Sequence, residues 1–316
     1  MTAANVSADE TLGQRIYRLL TSVPMWALWG LVLLWTLPSF SLFVNSFRGR
    51  SDQRNSGFWT TATDPGQFTL ENYRTVLVEG GATDLSDSLI SSFAIAIPAT
   101  IIPIAFAAFA AYGFAWIDFK GREWLFIATV SLLAVPLQVA LIPLLQTYVG
   151  GAHFTVWGTE RTITLIPDLD LNTRGGISVW LTHTGFAMPF SIFLLHNYIS
   201  ELPKEVFESA RIDGASHFTI FWRLVLPLSV PALAAFAIFQ FLWTWNDFLI
   251  AVTMLSGGNP ADLPTTVLIA NLAGDFGRTE HLLTAGAFVQ SFVPLVVFFS
   301  LQRYFVRGLL AGSVKG

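Results

Sequence analysis

Six long apolar runs, parted by polar stretches rich in Gly, Pro, Asn and Asp, organise this chain: Met25 to Val44, Leu89 to Ala115, Trp124 to Gln146, Val179 to Tyr198, Leu228 to Leu255 and Leu282 to Leu301. A helix crossing about 30 Å of hydrocarbon takes about 20 such residues, so each run predicts one spanning helix. Barrel strands are the other way to satisfy a backbone in lipid, but they are about ten residues of alternating polarity, and these runs are longer and continuous. The expected fold class is an all-α membrane protein of six transmembrane helices.

Composition agrees with that pattern: 53% of the 316 residues are hydrophobic and only 12% are charged, against about a quarter in soluble domains. The net charge of -4 gives no basic field for nucleic acid, and the absence of cysteine removes disulfides, thiolate metal sites and thiol nucleophiles. Arg15 and Arg18 precede the first run as in a targeting signal. The run is too long for one and no small-residue cleavage site follows it, so a retained first span is expected, with 1–24 as a cytoplasmic segment and 25–316 as one transmembrane domain.

Basic residues set the expected orientation. With the N-terminus inside, all three lysines (Lys120, Lys204, Lys315) and seven arginines fall in inner segments, and seven arginines fall in outer ones. The topology is N-in and C-in. Prolines at 98, 103, 136, 143, 189 and 294 lie within the runs and each removes a backbone donor, which kinks a helix unless a neighbour compensates.

The usual catalytic patterns are missing. No G-x-x-x-x-G-K-[ST] occurs, since the nearest glycine pair, Gly308 and Gly312, is followed by Ser313; the five histidines show no ligand spacing, and no G-x-S-x-G elbow is present. No cofactor, metal or catalytic residue is implied. One acidic group does stand inside a run, Asp247, and charge at membrane depth usually faces a cavity or a partner. Gln240, Trp243 and Asp247 follow i, i+3, i+7 spacing, with Asn246 beside them. A flat aromatic face with amide and carboxylate groups suits a sugar, and the same residues also suit an interfacial anchor or helix packing.

The segment from Ser200 to Pro231 between the fourth and fifth runs is more than a linker. Pro203 and Glu205 suit a helix start and Gly214 its end, so a short helix with Lys204, Glu208 and Arg211 on a polar side and Val206 and Ala210, flanked by Phe207 and Ile212, on an apolar one is expected. Glu208 and Arg211 are spaced to pair, and Pro227 is expected to break the second half before the fifth span. Such a knob fits either a partner's groove or the lipid headgroups.

Glu208, Ser209, Ala210 and Gly214, with Leu224, Leu226 and Pro227 further on, resemble the E-A-A, G, I-x-L-P signature of importer-type ABC permeases, with Ser209 and Leu224 as small departures. FTLENYRTVL from Phe68, AAYGFAWIDFKGREW from Ala110, VPLQVALIPL from Val135, WNDF from Trp245 and the tail from Gln302 are similar to carbohydrate permeases of the maltose type, over nearly everything from Phe68 to Gly316. The stretch around Glu208 to Phe248 looks most similar to α-glucoside permeases; the loop from Gly150 to Gly176 is longer than in that family.

The resemblance implies a permease subunit that holds no nucleotide and moves a sugar, such as maltose or trehalose. A second, maltose-type permease chain, a cytoplasmic ATPase dimer and an external sugar-binding protein would be its partners, in a bacterial or archaeal inner membrane. Segment 200–227 would be the coupling segment, with Glu208, Ser209, Ala210, Arg211, Asp213 and Gly214 at the ATPase, and the tail 303–316 would reach the ATPase interface or, on its basic residues alone, anionic lipid. Gln240, Trp243, Asn246 and Asp247 would line the substrate path. The alternative left open is an ion-coupled transporter in which Asp247 carries the ion.

Overall fold

The computed structural model describes residues 24–79, 84–156, 162–169, 176–255, 259, 262–274 and 278–311, the last nine by main chain alone. The segment 1–23, with Arg15 and Arg18, and the end of the tail, with Lys315, lie outside the described residues. Five helices are long and apolar enough to span a membrane: α1 (Met25–Ser46), α4 (Leu85–Trp116), α7 (Ile177–Ser200), the continuous stretch His217–Trp245 and the first part of α13 (Glu280–Ala311). Between them lie α2 (Arg50–Asn55), α3 (Glu71–Leu77), a broken pair α5 (Arg122–Ser131) and α6 (Leu137–Gly150), an antiparallel hairpin β1 (Ala152–Thr155) and β2 (Thr162–Ile166), α8 (Lys204–Ile212), α9 (His217–Ile220), α10 (Leu226–Trp245), α11 (Leu249–Met254) and α12 (Thr265–Gly274).

The third run departs from expectation. It is not one straight helix but α5 and α6 meeting at 101°. Val135 and Pro136 are extended there, with ψ of 115° and 127°, because a proline forces the residue before it out of the helical region. Counted together as one broken span, the two arms bring the candidate spans among the described residues to six.

Helix α4 is the centre of the bundle. It packs closest on α7 through buried small side chains, Ala107, Ala108 and Ala111 on α4 and Ser178, Thr182 and Ser191 on α7. Without a hydrophobic driving force between helices in lipid, close approach at small residues carries the packing. Helix α1 lies outermost, with Trp26, Trp29 and Trp35 exposed and its C-terminal end held to α13 by the Phe43 and Phe288 rings, 5.3 Å apart. Just beyond α1 the fully buried guanidinium of Arg48 donates to Asn45 Oδ1 (2.9 Å), Gln67 Oε1 (3.0 Å) and the carbonyl of Asp52 (2.8 Å), folding the segment before α3 into a cap on that end of the bundle.

The intramembrane prolines leave carbonyls without their helical donor, and neighbouring helices supply one in each of three cases. Pro98 frees the carbonyl of Ala94, which accepts from the Trp180 indole of α7 at 3.1 Å. Pro103 frees Ala99, which accepts from the Gln240 amide of α10 at 3.0 Å, and Pro294 frees Gln290, which accepts from the Trp245 indole at 3.1 Å. The helices run on through these prolines, and the freed carbonyls have become cross-links from α4 to α7, α4 to α10 and α10 to α13.

Candidate functional site

Two places carry chemistry beyond packing: the end of α10, inside the bundle, and the knob formed by α8 and α9. The fifth run does not continue to Leu255 as one helix; α10 ends at Trp245 and a separate α11 starts at Leu249. Asp247 makes the break. Its Oδ1 accepts from the amide of Ile250 (3.3 Å) and its Oδ2 from Ala251 (3.0 Å), capping α11, while its carbonyl accepts from the Thr266 hydroxyl at 2.7 Å. A carboxylate that satisfies orphan amides at a helix start competes with the preceding helix for the chain, which hydropathy cannot reveal.

Gln240, Trp243 and Asp247, expected on one face with Asn246 beside them, do not share one. Gln240 is buried and spent on Ala99; Asp247 has left the helix register and points inward. Trp243 and Asn246 look outward instead, on the same exposed side as Phe239, and Asn246 donates back to the carbonyl of Leu242. Behind Asp247 sits His183 of α7, completely buried, its Nε2 3.6 Å from Asp247 Oδ2 and its ring edge-on to Trp243 with centroids 5.1 Å apart. That distance is beyond a hydrogen bond, and neither ring nitrogen of His183 has a hydrogen-bond partner among the described residues. The void there, lined by Ser92, His183, Thr244 and Asp247 among others, leaves about 10 Å³ for the centre of a guest. That is room for one water at most and none for a sugar ring.

The knob is built on Gly214, whose φ of +80° suits a residue without Cβ. The amide of Gly214 donates to the carbonyl of Arg211 (3.0 Å) and that of Ala215 to Ala210 (2.9 Å), the paired bonds that end a helix at a left-handed glycine. Ser216 then caps α9 by accepting from the Thr219 amide. Pro227 does not break the chain before the fifth span: a π turn over Phe221–Val225 joins α9 to α10 without interruption. A wider turn takes up the lost donor and the crowding of the proline ring on the Arg223 carbonyl.

The apolar side of α8 differs from the expected one. Phe207, not Val206, is the buried anchor, stacked on Trp116 with centroids 4.0 Å apart; Ile212 is 87% exposed and Phe218 69%. Glu208, Ser209, Arg211 and Asp213 are all exposed with them. Arg211 turns away from Glu208 and donates to the carbonyl of Trp116 at 3.3 Å. An anchored knob presenting two bare apolar side chains, Ile212 at the end of α8 and Phe218 on α9, ringed by charge, has the form of an insertion into a groove.

A family model described as "binding-protein-dependent transport system inner membrane component" matches residues 104–310. The chain belongs to that family. The permease is 49% identical over 288 residues, 90% of its length and 89% of the relative's, to the osmoprotective compounds uptake permease protein GgtD of Synechocystis. To the alpha-glucoside transport system permease protein AglG of Rhizobium meliloti it is 50% identical over 277 residues, 86% of its own length and 68% of the relative's. Among solved structures, a bacterial ABC transporter that imports the acidic polysaccharide alginate matches with a TM-score of 0.68 over 95% of the permease and all of that chain, at 19% identity, which shows the fold. It is a multi-pass inner-membrane component of a transport system.

Sequence reasoning missed Trp180 and Trp245 as donors to freed carbonyls and treated tryptophan as anchor or sugar platform. The available signal was the spacing of each proline four residues beyond the carbonyl it frees.

Proposed function

We propose that this permease is one of the two membrane subunits of an ATP-driven sugar importer, with an α-glucoside such as maltose or trehalose as cargo. Sugar would arrive from an external binding protein, and ATP would be hydrolysed in a separate cytoplasmic dimer that receives the knob. The observation that carries this reading is the knob itself, in which the glycine-ended α8 is anchored by Phe207 and Ile212 of α8 and Phe218 of α9 are offered to a groove. The likeness to the alpha-glucoside permease AglG over 86% of the chain supports the cargo. Under this reading the knob end is cytoplasmic, which puts Lys120 and Lys204 inside, and the tail 303–316, a continuation of α13 as far as Ala311, extends toward the ATPase.

The passage for sugar then runs between this chain and its companion, along the outward side of α10 with Trp243 and Asn246. Gln240 and Asp247 stand behind that surface and hold it. The ion-coupled alternative has no support among the relatives, and the Asp247 carboxylate has a role of its own in capping α11.

The test is a reconstituted complex with Gly214→Val. A β-branched residue is costly at a left-handed φ, so binding-protein-stimulated ATP hydrolysis and maltose or trehalose uptake should both fall at least about tenfold, while the chain still reaches the membrane. Unchanged stimulation, or uptake by the purified permease with no companion, would overturn the reading.

A further inference from the structure

The contact that holds α8 to the bundle is concentrated on one side chain. Trp116 is the last residue of α4, and it meets the knob region in three ways at once. Its ring stacks on Phe207 with planes 12° apart; its indole N–H donates at 3.1 Å to the carbonyl of Ile199 in the last turn of α7; its own carbonyl accepts from Arg211. Tyr112, one turn earlier on α4, hydrogen-bonds His217 Nδ1 at 2.8 Å on the far side of Gly214. Both halves of the knob are therefore tied to the end of α4, and Trp116 also ties the end of α7.

Beyond α9 the chain passes through the π turn at Phe221–Val225, which also packs on α4, the Phe221 ring stacked on Phe109 with centroids 4.3 Å apart. We propose that Trp116 is a positioning residue that clamps the knob to the ends of α4 and α7, so that these move with it as one body. Interfaces with discrete packings pass on small shifts at one end as rigid-body motions. This inference rests on the reading of the knob as the ATPase contact, because only then is there a motion to transmit.

The permease has no native cysteine, so paired spin labels can be placed at Ile212→Cys, exposed on the knob, and Lys120→Cys, exposed just past α4. Distances are read by pulsed electron resonance in the complete transporter, nucleotide-free and with trapped ATP. The expected result is one narrow distance, the same in both states. Trp116→Leu should broaden it in both; Phe207→Leu, which removes the other half of the stack, should do the same; Trp116→Phe, which keeps an aromatic ring on Phe207, should restore most of the sharpness. A merely stabilising tryptophan would lower the yield of complex and leave the distance unchanged in what assembles. The proposal is overturned if the native distance shifts on trapping ATP, if Trp116→Leu and Phe207→Leu stay sharp, or if Trp116→Phe is as broad as Trp116→Leu. A cross-linker attached to the thiol of the Ile212→Cys variant that captures lipid alone sinks the docking reading separately, since the nucleotide-free distances report on the clamp without it.

Discussion

At the knob, large apolar side chains stand in solvent and charged ones surround them; at the break that ends α10, a carboxylate and an imidazole lie inside and apolar helices surround them. The polar groups of the second region are nearly all committed to the chain itself: Asp247 to the amides of α11, Gln240 to Ala99, Thr266 to Asp247. At the first, Arg211, Ser216 and His217 are bonded within the chain, while the carboxylates of Glu208 and Asp213 stand in solvent. The difference separates holding from reaching. A buried polar group without a partner costs free energy in lipid, so the break has to be satisfied within the chain, whereas an exposed apolar group has no such requirement and is free to meet another molecule.

The contrast can be broken from either side. The largest stability effect is expected at the break: Gln240→Leu strands the Ala99 carbonyl at a cost of about 1–3 kcal/mol, read as earlier thermal unfolding in detergent. An unchanged midpoint would mean that the freed carbonyl has found another donor. Asp247→Ala should cost about 1–2 kcal/mol as a lost cap, with faster hydrogen exchange at Ile250 and Ala251; exchange that stays slow there would remove Asp247 from its capping role.

His183 sharpens the comparison, because its nitrogens have no hydrogen-bond partner among the described residues. Replacing it with Leu should change stability by less than about 1 kcal/mol or raise it. A loss several times larger would place a bound water in the void between His183 and Asp247. At the knob the order is reversed: Ile212→Ser should leave unfolding within about 0.5 kcal/mol, as for surface changes, yet abolish co-purification of the ATPase. The smallest effect belongs to Asp84, which caps α4 and accepts from the Ser86 hydroxyl, a bond that holds its carboxyl below the usual range. A lowered acid stabilises the fold above its ordinary pKa and loses that contribution as pH falls through the folded value, so Asp84→Ala should matter slightly at neutral pH and not at all in acid, in a melt run at both.

Much of this was legible beforehand. The starts of α1, α4, α7 and α13 lie within a few residues of the apolar runs, because hydrophobic length is what lipid selects. Gly214 announced the turn because so few residues tolerate a positive φ. The register beyond Trp245 was not legible, since Asp247 reads as one more residue of an apolar stretch until its carboxylate finds Ile250 and Ala251. The partner of Arg211 was missed for a similar reason: Glu208 is near in sequence, but the Trp116 carbonyl is nearer in space.

Sequence alone therefore settled the class of environment, the spanning segments and the glycine-ended knob, since each follows from properties a residue carries by itself: its hydrophobicity, its missing N–H or its missing Cβ. Tertiary structure alone decided which side chain answers each proline, that Gln240 and Trp245 are cross-links, and that Phe207 rather than Val206 seats α8, stacked on Trp116. A proline states that a carbonyl is free, but the donor comes from whichever helix packs against it, and that pairing exists only once the bundle has closed.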